Sequence, residues 1–355
     1  MSLPSVTRAV ARAALVALGL AGAGLFQTQP AAAQLIAPPL AQLPSLVAPE
    51  GAADDKLGWS VAASGDTLVI GAYLDDAGAN ADQGSAYVFV RSGGVWSFQQ
   101  KLVANDGAAQ DRFGDSVAII GDTIVVGAPL DDIGANLDQG SAYVFVRSGT
   151  GWAIQQKLTA NDGAAQDRFG DSVAIYADTV VAGAPLDNTA TNSDQGAAYV
   201  FARSGAVWSQ RQKLSANDGA PDDQFGGAVA ISDNTIVVGA YLDDNTTPTT
   251  GQEGAYVFAR SGNDWSFQQK LVASDGAEGD HFGAAVAVSG DMVVIGAWLD
   301  DNGPNTDQGA AYVFARSGTS WTQQRKLTAN DGRGGDRFGR SVALDGNTAL
   351  IGAYL

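Results

Sequence analysis

"DRFGDSVAIIGDTIVVGAPL" (residues 111–130) returns almost unchanged as "DRFGDSVAIYADTVVAGAPL" (residues 167–186). The pair Phe-Gly sets the register, at Phe113-Gly114, Phe169-Gly170, Phe225-Gly226, Phe282-Gly283 and Phe338-Gly339, with Leu57-Gly58 as a degenerate first copy. The glycines are 56, 56, 56, 57 and 56 residues apart. A second marker keeps step: "GAYL" at Gly71, "GAPL" at Gly127 and Gly183, "GAYL" at Gly239, "GAWL" at Gly296 and "GAYL" at Gly352. The one extra residue lies between Leu242 and Tyr256, in "LDDNTTPTTGQEGAYVF". Insertions collect in loops, so this stretch is a loop.

Each unit reads as four strands. In the second copy these are "FGDSVAII", "DTIVVGAP", "GSAYVFVR" and "WAIQQKLTA". Gly121-Asp122 joins the first two, and Gly65-Asp66, Asp233-Asn234 and Gly290-Asp291 do so elsewhere. Such pairs accept positive φ and close two-residue hairpins. In the third strand Tyr143 and Phe145 face one way and Ala142, Val144 and Val146 the other. In the fourth, Trp152, Ile154 and Leu158 share one side and Ala153, Gln155 and Lys157 the other. Three strands apolar on both faces must be covered on both faces. A half-polar fourth strand carrying a lysine suits an outer edge. Units of this size cannot bury both faces alone and so need copies of themselves as neighbours. The pattern predicts an all-β fold, a β-propeller of four-stranded blades of about 56 residues, with five full blades and a partial sixth.

Composition narrows the function. Formal net charge is -18, and of 38 acidic residues only Glu50, Glu253 and Glu278 are glutamates. Aspartate suits turns and caps, and 45 glycines suit tight connections. So acidic a surface argues against nucleic acid and against anionic membranes. With no cysteine, thiol catalysis, zinc–thiolate sites and iron–sulfur clusters are excluded.

The N-terminus reads as an export leader, residues 1–33. Arg8 and Arg12 carry the charge, "AALVALGLAGAGLF" (13–26) is a short apolar run, and "PAAAQ" offers cleavage after Ala33. A membrane anchor is the alternative reading. With the leader removed the chain is expected to be secreted or at the cell surface, with no membrane insertion. Residues 34–56 form a lead-in, in which "AQLPSLVAPEG" (41–51) resembles a fourth strand. Residues 57–355 hold the repeats, starting near 57, 113, 169, 225, 282 and 338, the last one truncated. A sixth blade built from both ends has its first, second and fourth strands and lacks its third.

The alternation of Phe-Gly with Gly-Ala-Pro resembles the FG-GAP repeat of the integrin α-subunit propeller. The bacterial branch is the more similar, with units that read much as "KLTANDGAAQDRFGDSVAI" and "DQGAAYVFARSG" do here. The resemblance covers residues 43–355. It implies a ring of about seven blades, an extracellular setting and a role in adhesion or ligand binding. Calcium-binding integrin blades carry a "DxDxDG"-type loop between the FG and GAP strands. Here a tight turn stands in its place, so that site transfers to no residue.

A different acidic loop joins strands two and three: "DDAGANADQG" from Asp75, "DDIGANLDQG" from Asp131 and "DDNGPNTDQG" from Asp300. Asp76, Asn80, Asp82, Asp132, Asn136, Asp138, Asp301, Asn305 and Asp307 are candidate calcium ligands, since calcium takes six to eight oxygens. The alternative is that they form turns and cap their own backbone. No cofactor is required. Asp55, Asp111, Asp167, Asp223, Asp280 and Asp336 precede the FG pairs, and Arg91, Arg147, Arg203, Arg260 and Arg316 end the third strands. These either pair with one another or, for the aspartates, cap the turn into strand one.

No catalytic constellation is visible. The lone His281 shares its slot with Lys56, Arg112, Arg168, Gln224 and Arg337, and reads as a surface variant. The residue after Gly-Ala varies more tellingly: Tyr73, Pro129, Pro185, Tyr241, Trp298 and Tyr354. Tyr73, Tyr241 and Trp298 are candidates for a ligand rim, or else plugs between blades. The reading is an extracellular binding or adhesion module for a protein or carbohydrate partner, not an enzyme. Two alternatives stand beside it: a propeller hydrolase or lyase with carboxylates at one mouth of the channel, and a scaffold for a domain outside this chain.

Overall fold

The structure is a computed structural model that describes residues 12–17, 46–243 and 253–354. Most of the leader and lead-in, and the loop 244–252 with the extra residue, lie outside them. No helix occurs among the described residues. Five four-stranded antiparallel sheets follow one another, each in the order first, second, third, fourth strand. In the second unit the strands are Val117–Ile120, Thr123–Ala128, Ser141–Ser148 and Gly151–Leu158. Successive sheets pack face to face, with first strands against first strands on the inside and fourth strands outermost. These are the blades of a β-propeller.

The cores lie between blades. Val88 and Leu102 of the first unit pack with Phe113, Val126, Tyr143 and Phe145 of the second. Ala142, Val144 and Leu158 pack instead with Phe169, Tyr199 and Phe201 of the third. Alternation along the third strand thus serves two neighbours, as the period of two predicts.

The fourth strand departs from the expected alternation. Phe145 pairs with Ile154 but Val144 pairs with Gln156, so a bulge lies at Gln155. The extra residue reverses the facing of everything after it. Trp152 and Ile154 therefore face the preceding blade, while Leu158 faces the following one. Lys157 swings to the side of Tyr143, its ammonium 5.2 Å from the ring centre. The same shift recurs in all five complete sheets.

The FG pair is also not simply strand. Gly114 has φ of 94° and still donates to the Gly127 carbonyl at 2.9 Å, but the regular strand begins only at Val117. Only in the fifth unit does it start at the pair, Phe282–Ser289, with an irregularity before Ala285.

Successive outer edges are stitched by glutamine. Gln156 Nε2 donates to the Trp208 carbonyl at 2.8 Å, and Trp208 N–H donates to Gln156 Oε1 at 2.8 Å. Gln100 with Trp152, Gln212 with Trp265 and Gln269 with Trp321 repeat the pair. Gln156→Leu leaves two backbone groups of the next blade without partners. We expect a loss of about 1–3 kcal/mol, read from the urea midpoint.

The ends differ from expectation. Residues 46–48 form no strand; Pro49 has no N–H to give a ladder, and Gly51 N–H turns back to the Ala48 carbonyl at 3.3 Å. The lead-in still helps the fold, with Leu46 and Ala48 packed on the first core beside Leu57. In the sixth unit Ser341–Asp345 pairs with Thr348–Ala353. The place of its third strand is taken by Arg12–Ala17, antiparallel to Thr348–Ala353.

Candidate functional site

One group of polar residues recurs unchanged and is structural. In the third unit Asp187, 2 % exposed, accepts from the Tyr199 hydroxyl and from Lys213 Nζ at 2.8 Å. Lys213 also reaches Asp162, in the exit loop of the preceding blade, at 2.8 Å. The bulge sets lysine over tyrosine, and the buried aspartate opens the loop between strands two and three. Asp131, Tyr143, Lys157 and Asp106 form the same group, as do Asp300, Tyr312, Lys326 and Asp275. Burial alone would lower the Lys213 ammonium, but hydrogen bonds to Asp162 and Asp187 outweigh it and raise its pKa. Burial raises and those bonds more strongly lower Asp162. Each group ties a loop, two strands and the blade before.

The aspartates ahead of the FG pairs are caps. Asp111 Oδ2 accepts from Ala108 N–H at 2.6 Å, Asp167 from Ala164 at 2.6 Å and Asp223 from Ala220 at 2.6 Å. The third-strand arginines pair with the hairpin aspartates: Arg91 with Asp66, Arg147 with Asp122, Arg203 with Asp178 and Arg316 with Asp291.

The acidic loops use their polar groups internally. Asp76 Oδ1 accepts from Asp82 N–H at 2.9 Å, and Asp132 and Asp301 do the same for Asp138 and Asp307. Asn80 Nδ2 donates to Gln83 Oε1 and to the Gly107 carbonyl, both at 3.0 Å. Asn136 and Asn305 likewise bind Gln139 and Gln308. Asp82, Asp138 and Asp307 take positive φ of 52–53°. Among the described residues no group of three or more His, Cys, Asp or Glu is placed to hold a metal. Turn chemistry accounts for six of these nine side chains, and Asp82, Asp138 and Asp307 enter the same turns through their backbone N–H groups. Millimolar calcium is therefore expected to leave the melting temperature unchanged, whereas a rise of several degrees would assign the loops to metal.

The copies disagree where the FG and GAP segments meet, at one end of the inward-lying first strands, the mouth of the propeller. After each FG pair stand Trp59, Asp115, Asp171, Gly227, Ala284 and Arg340. With the residues before FG and after Gly-Ala they make a connected arc. Trp59 meets Tyr73 at 4.9 Å between ring centres, and the Arg112 guanidinium lies 5.6 Å from the Tyr73 ring. Asp115 feels Asp171, Arg112 and Arg168, and Tyr241 in turn feels Asp171, Arg168 and Arg340. Tyr241 packs on His281 at 5.4 Å, and His281 on Trp298 at 4.9 Å. Arg337 and Arg340 lie 5.1 and 5.5 Å from the Trp298 ring.

Tyr73, Tyr241 and Trp298 are thus all at this mouth, half-buried and in contact across blades. Pro129 and Pro185 are buried. His281 is no surface variant: it is half-buried, and its Nδ1 is buried without a hydrogen-bond partner. Burial, then Arg340, lowers its pKa. Asp115, Asp171 and Arg340 escape notice in the sequence because the FG frame hides how the residue just after it varies.

Burial pushes the Asp115 carboxyl up to about 7, with Asp171 adding to it, and pushes Asp171 up to about 6. Each folded value lies above the ordinary one, so the native state holds these protons more tightly. Their contribution favours folding below the ordinary carboxylate range and is lost as pH rises through about 6–7. Asp106, Asp162, Asp218 and Asp275 are lowered and act oppositely, losing stability below about pH 4. Stability should peak in mild acid. Asp115→Asn is expected to add about 1–2 kcal/mol at pH 8, after allowance for solvent screening, and nothing near pH 3, below the ordinary carboxylate value. Thermal melts at the two pH values check it.

A family model for the FG-GAP repeat matches residues 41–89, 96–145, 152–201, 208–258, 265–314 and 321–355. No curated protein matches the chain. The repeat boundaries fall at the tryptophan of the fourth strand, so each of the four middle segments joins one blade's outer strand to the next blade's first three, the same step that the interblade cores and glutamine pairs make. With six repeats matched over most of its length, the chain belongs to the FG-GAP repeat family.

Proposed function

We propose that this chain is an extracellular binding module that takes its partner at the channel mouth. The carrying observation is the arc from Trp59 to Arg340. Most of what holds the blades together is repeated, and a set of departures from repetition meets at one place. A framework needs sameness, while recognition needs particular groups at particular points. Export rests on Arg8, Arg12, the apolar run 13–26 and "PAAAQ". Cleavage after Ala33 would also remove the strand at Arg12–Ala17. N-terminal sequencing of protein collected outside the cell tests that part.

The binding role is tested by selecting displayed random short peptides on the native chain and challenging the selected peptides with Tyr241→Ala/Trp298→Ala. Peptides that lose binding to the variant support the mouth as the site. Selected peptides indifferent to it, or none selected, contradict it.

The carboxylate pair favours a second reading, a hydrolase or lyase. An acid poised near neutrality suits proton transfer, and Asp115 is pushed up to about 7. No serine, histidine or lysine side chain among the described residues donates to Asp115 or Asp171, which weighs toward binding. Turnover of a glycan panel abolished by Asp115→Asn would favour the enzyme.

A further inference from the structure

We propose that the mouth recognises a carboxylate on a narrow peptide segment of a partner protein, gripped between Arg337 and Arg340. This rests on the mouth being the binding site. Four of the third-strand arginines, Arg91, Arg147, Arg203 and Arg316, each hold a hairpin aspartate. At the mouth, Arg337 and Arg340 have no ion pair among the described residues. Both instead lie against one ring, Trp298. An aromatic face holds a guanidinium in place without using its N–H donors. Two guanidinium groups beside one indole bring two sets of N–H donors near one ring, and paired charge-assisted hydrogen bonds from such donors grip a carboxylate. Beside them the buried Nδ1 of His281 lacks a partner.

Arg112, Arg168 and Lys56 stand at the equivalent position in other units. The mouth thus gathers five cations and His281 around Asp115 and Asp171, with Asp307 also within electrostatic reach of His281, in a chain of formal net charge -18. That contrast selects for size as well as sign. An extended polyanion, such as a polyuronate, would lie across the acidic loops carrying Asp76, Asp82, Asp132, Asp138, Asp301 and Asp307 and be repelled. A single acidic side chain on a thin segment reaches the cations and avoids the loops. The ring that sugar stacking would use, Trp298, is already attended by two guanidinium groups and a histidine.

The peptide selection described above distinguishes the levels of this reading. Peptides dependent on Tyr241 and Trp298 should share an aspartate or glutamate. An acetylated, amidated synthetic copy should lose roughly ten- to hundredfold in affinity when that acid becomes its amide. The same loss should appear in Arg337→Gln/Arg340→Gln, while Arg91→Gln, at the far end of the blade, leaves affinity unchanged. Arg340→Lys keeps the charge and loses the fork, and should fall between. Melting curves confirm that each variant is folded. Mouth-dependent peptides without an acid, or affinity unmoved in the double variant, overturn the carboxylate assignment and leave the mouth as a binding site. Tighter binding of an oligouronate than of the acidic peptide overturns the choice of partner. Absence of any mouth-dependent peptide overturns both.

Discussion

Lys213→Met should destabilise the protein by about 3–5 kcal/mol, the cost of leaving a buried charge without its partner. Asp187 is 2 % exposed and would keep only the Tyr199 hydroxyl. Asp162, half-exposed at 52 %, can turn to water. Lys213→Met/Asp187→Asn should recover a large part of the loss, since the stranded charge is then gone. Urea unfolding at pH 7 reads both. A single-variant loss below about 1 kcal/mol would mean that the group is solvated and does not join the blades.

Gly183→Ala should cost about 3 kcal/mol or more. A Cβ there would lie 1.9 Å from the Gly226 carbonyl oxygen, which is backbone of the next blade and cannot swing aside. Ser172 Oγ already donates to that oxygen at 2.7 Å, fixing it. Gly226, at φ of 101°, is barred from a side chain by conformation and by the Ala197 carbonyl oxygen 2.2 Å from its Cβ position. The two glycines that mark every repeat are therefore the two sides of one close approach between blades. Gly134→Ala is the control: φ is 65°, but nothing lies within 4 Å of the added carbon, so about 1 kcal/mol is expected.

The fold was legible because its cause is local and repeated. Apolar residues at period two, turn pairs such as Gly121-Asp122 and a polar fourth strand lead to blades that must stack. The bulge at Gln155 was not legible, because no turn residue or glycine marks it; it shows only as a reversed facing of Lys157 and Leu158. The turn role of the acidic loops was one of two readings, and the bonds from Asp76 to Asp82 and from Asn80 to Gln83 carry it. Tyr73, Tyr241 and Trp298 stood out as variable positions in a fixed frame. Asp115, Asp171 and Arg340 vary as much, but no sequence rule says that the residue after FG lies at the mouth. His281 looked ordinary beside its cationic counterparts. Its setting is made by Trp298, 17 residues on and brought beside it by its own first hairpin, and by Tyr241, 40 residues back and adjacent only once blades stack.

The most direct measurement makes the mouth like the rest of the repeat. His281→Arg/Trp298→Pro gives the fifth unit the residues that the second and third units carry at Arg112, Pro129, Arg168 and Pro185. Affinity for peptides selected on the native chain would be measured together with the melting temperature. If the repeated residues hold the blades and the divergent ones bind, melting shifts by only a few degrees and affinity is lost. Retained affinity in the folded variant would contradict the account and place recognition elsewhere on the propeller.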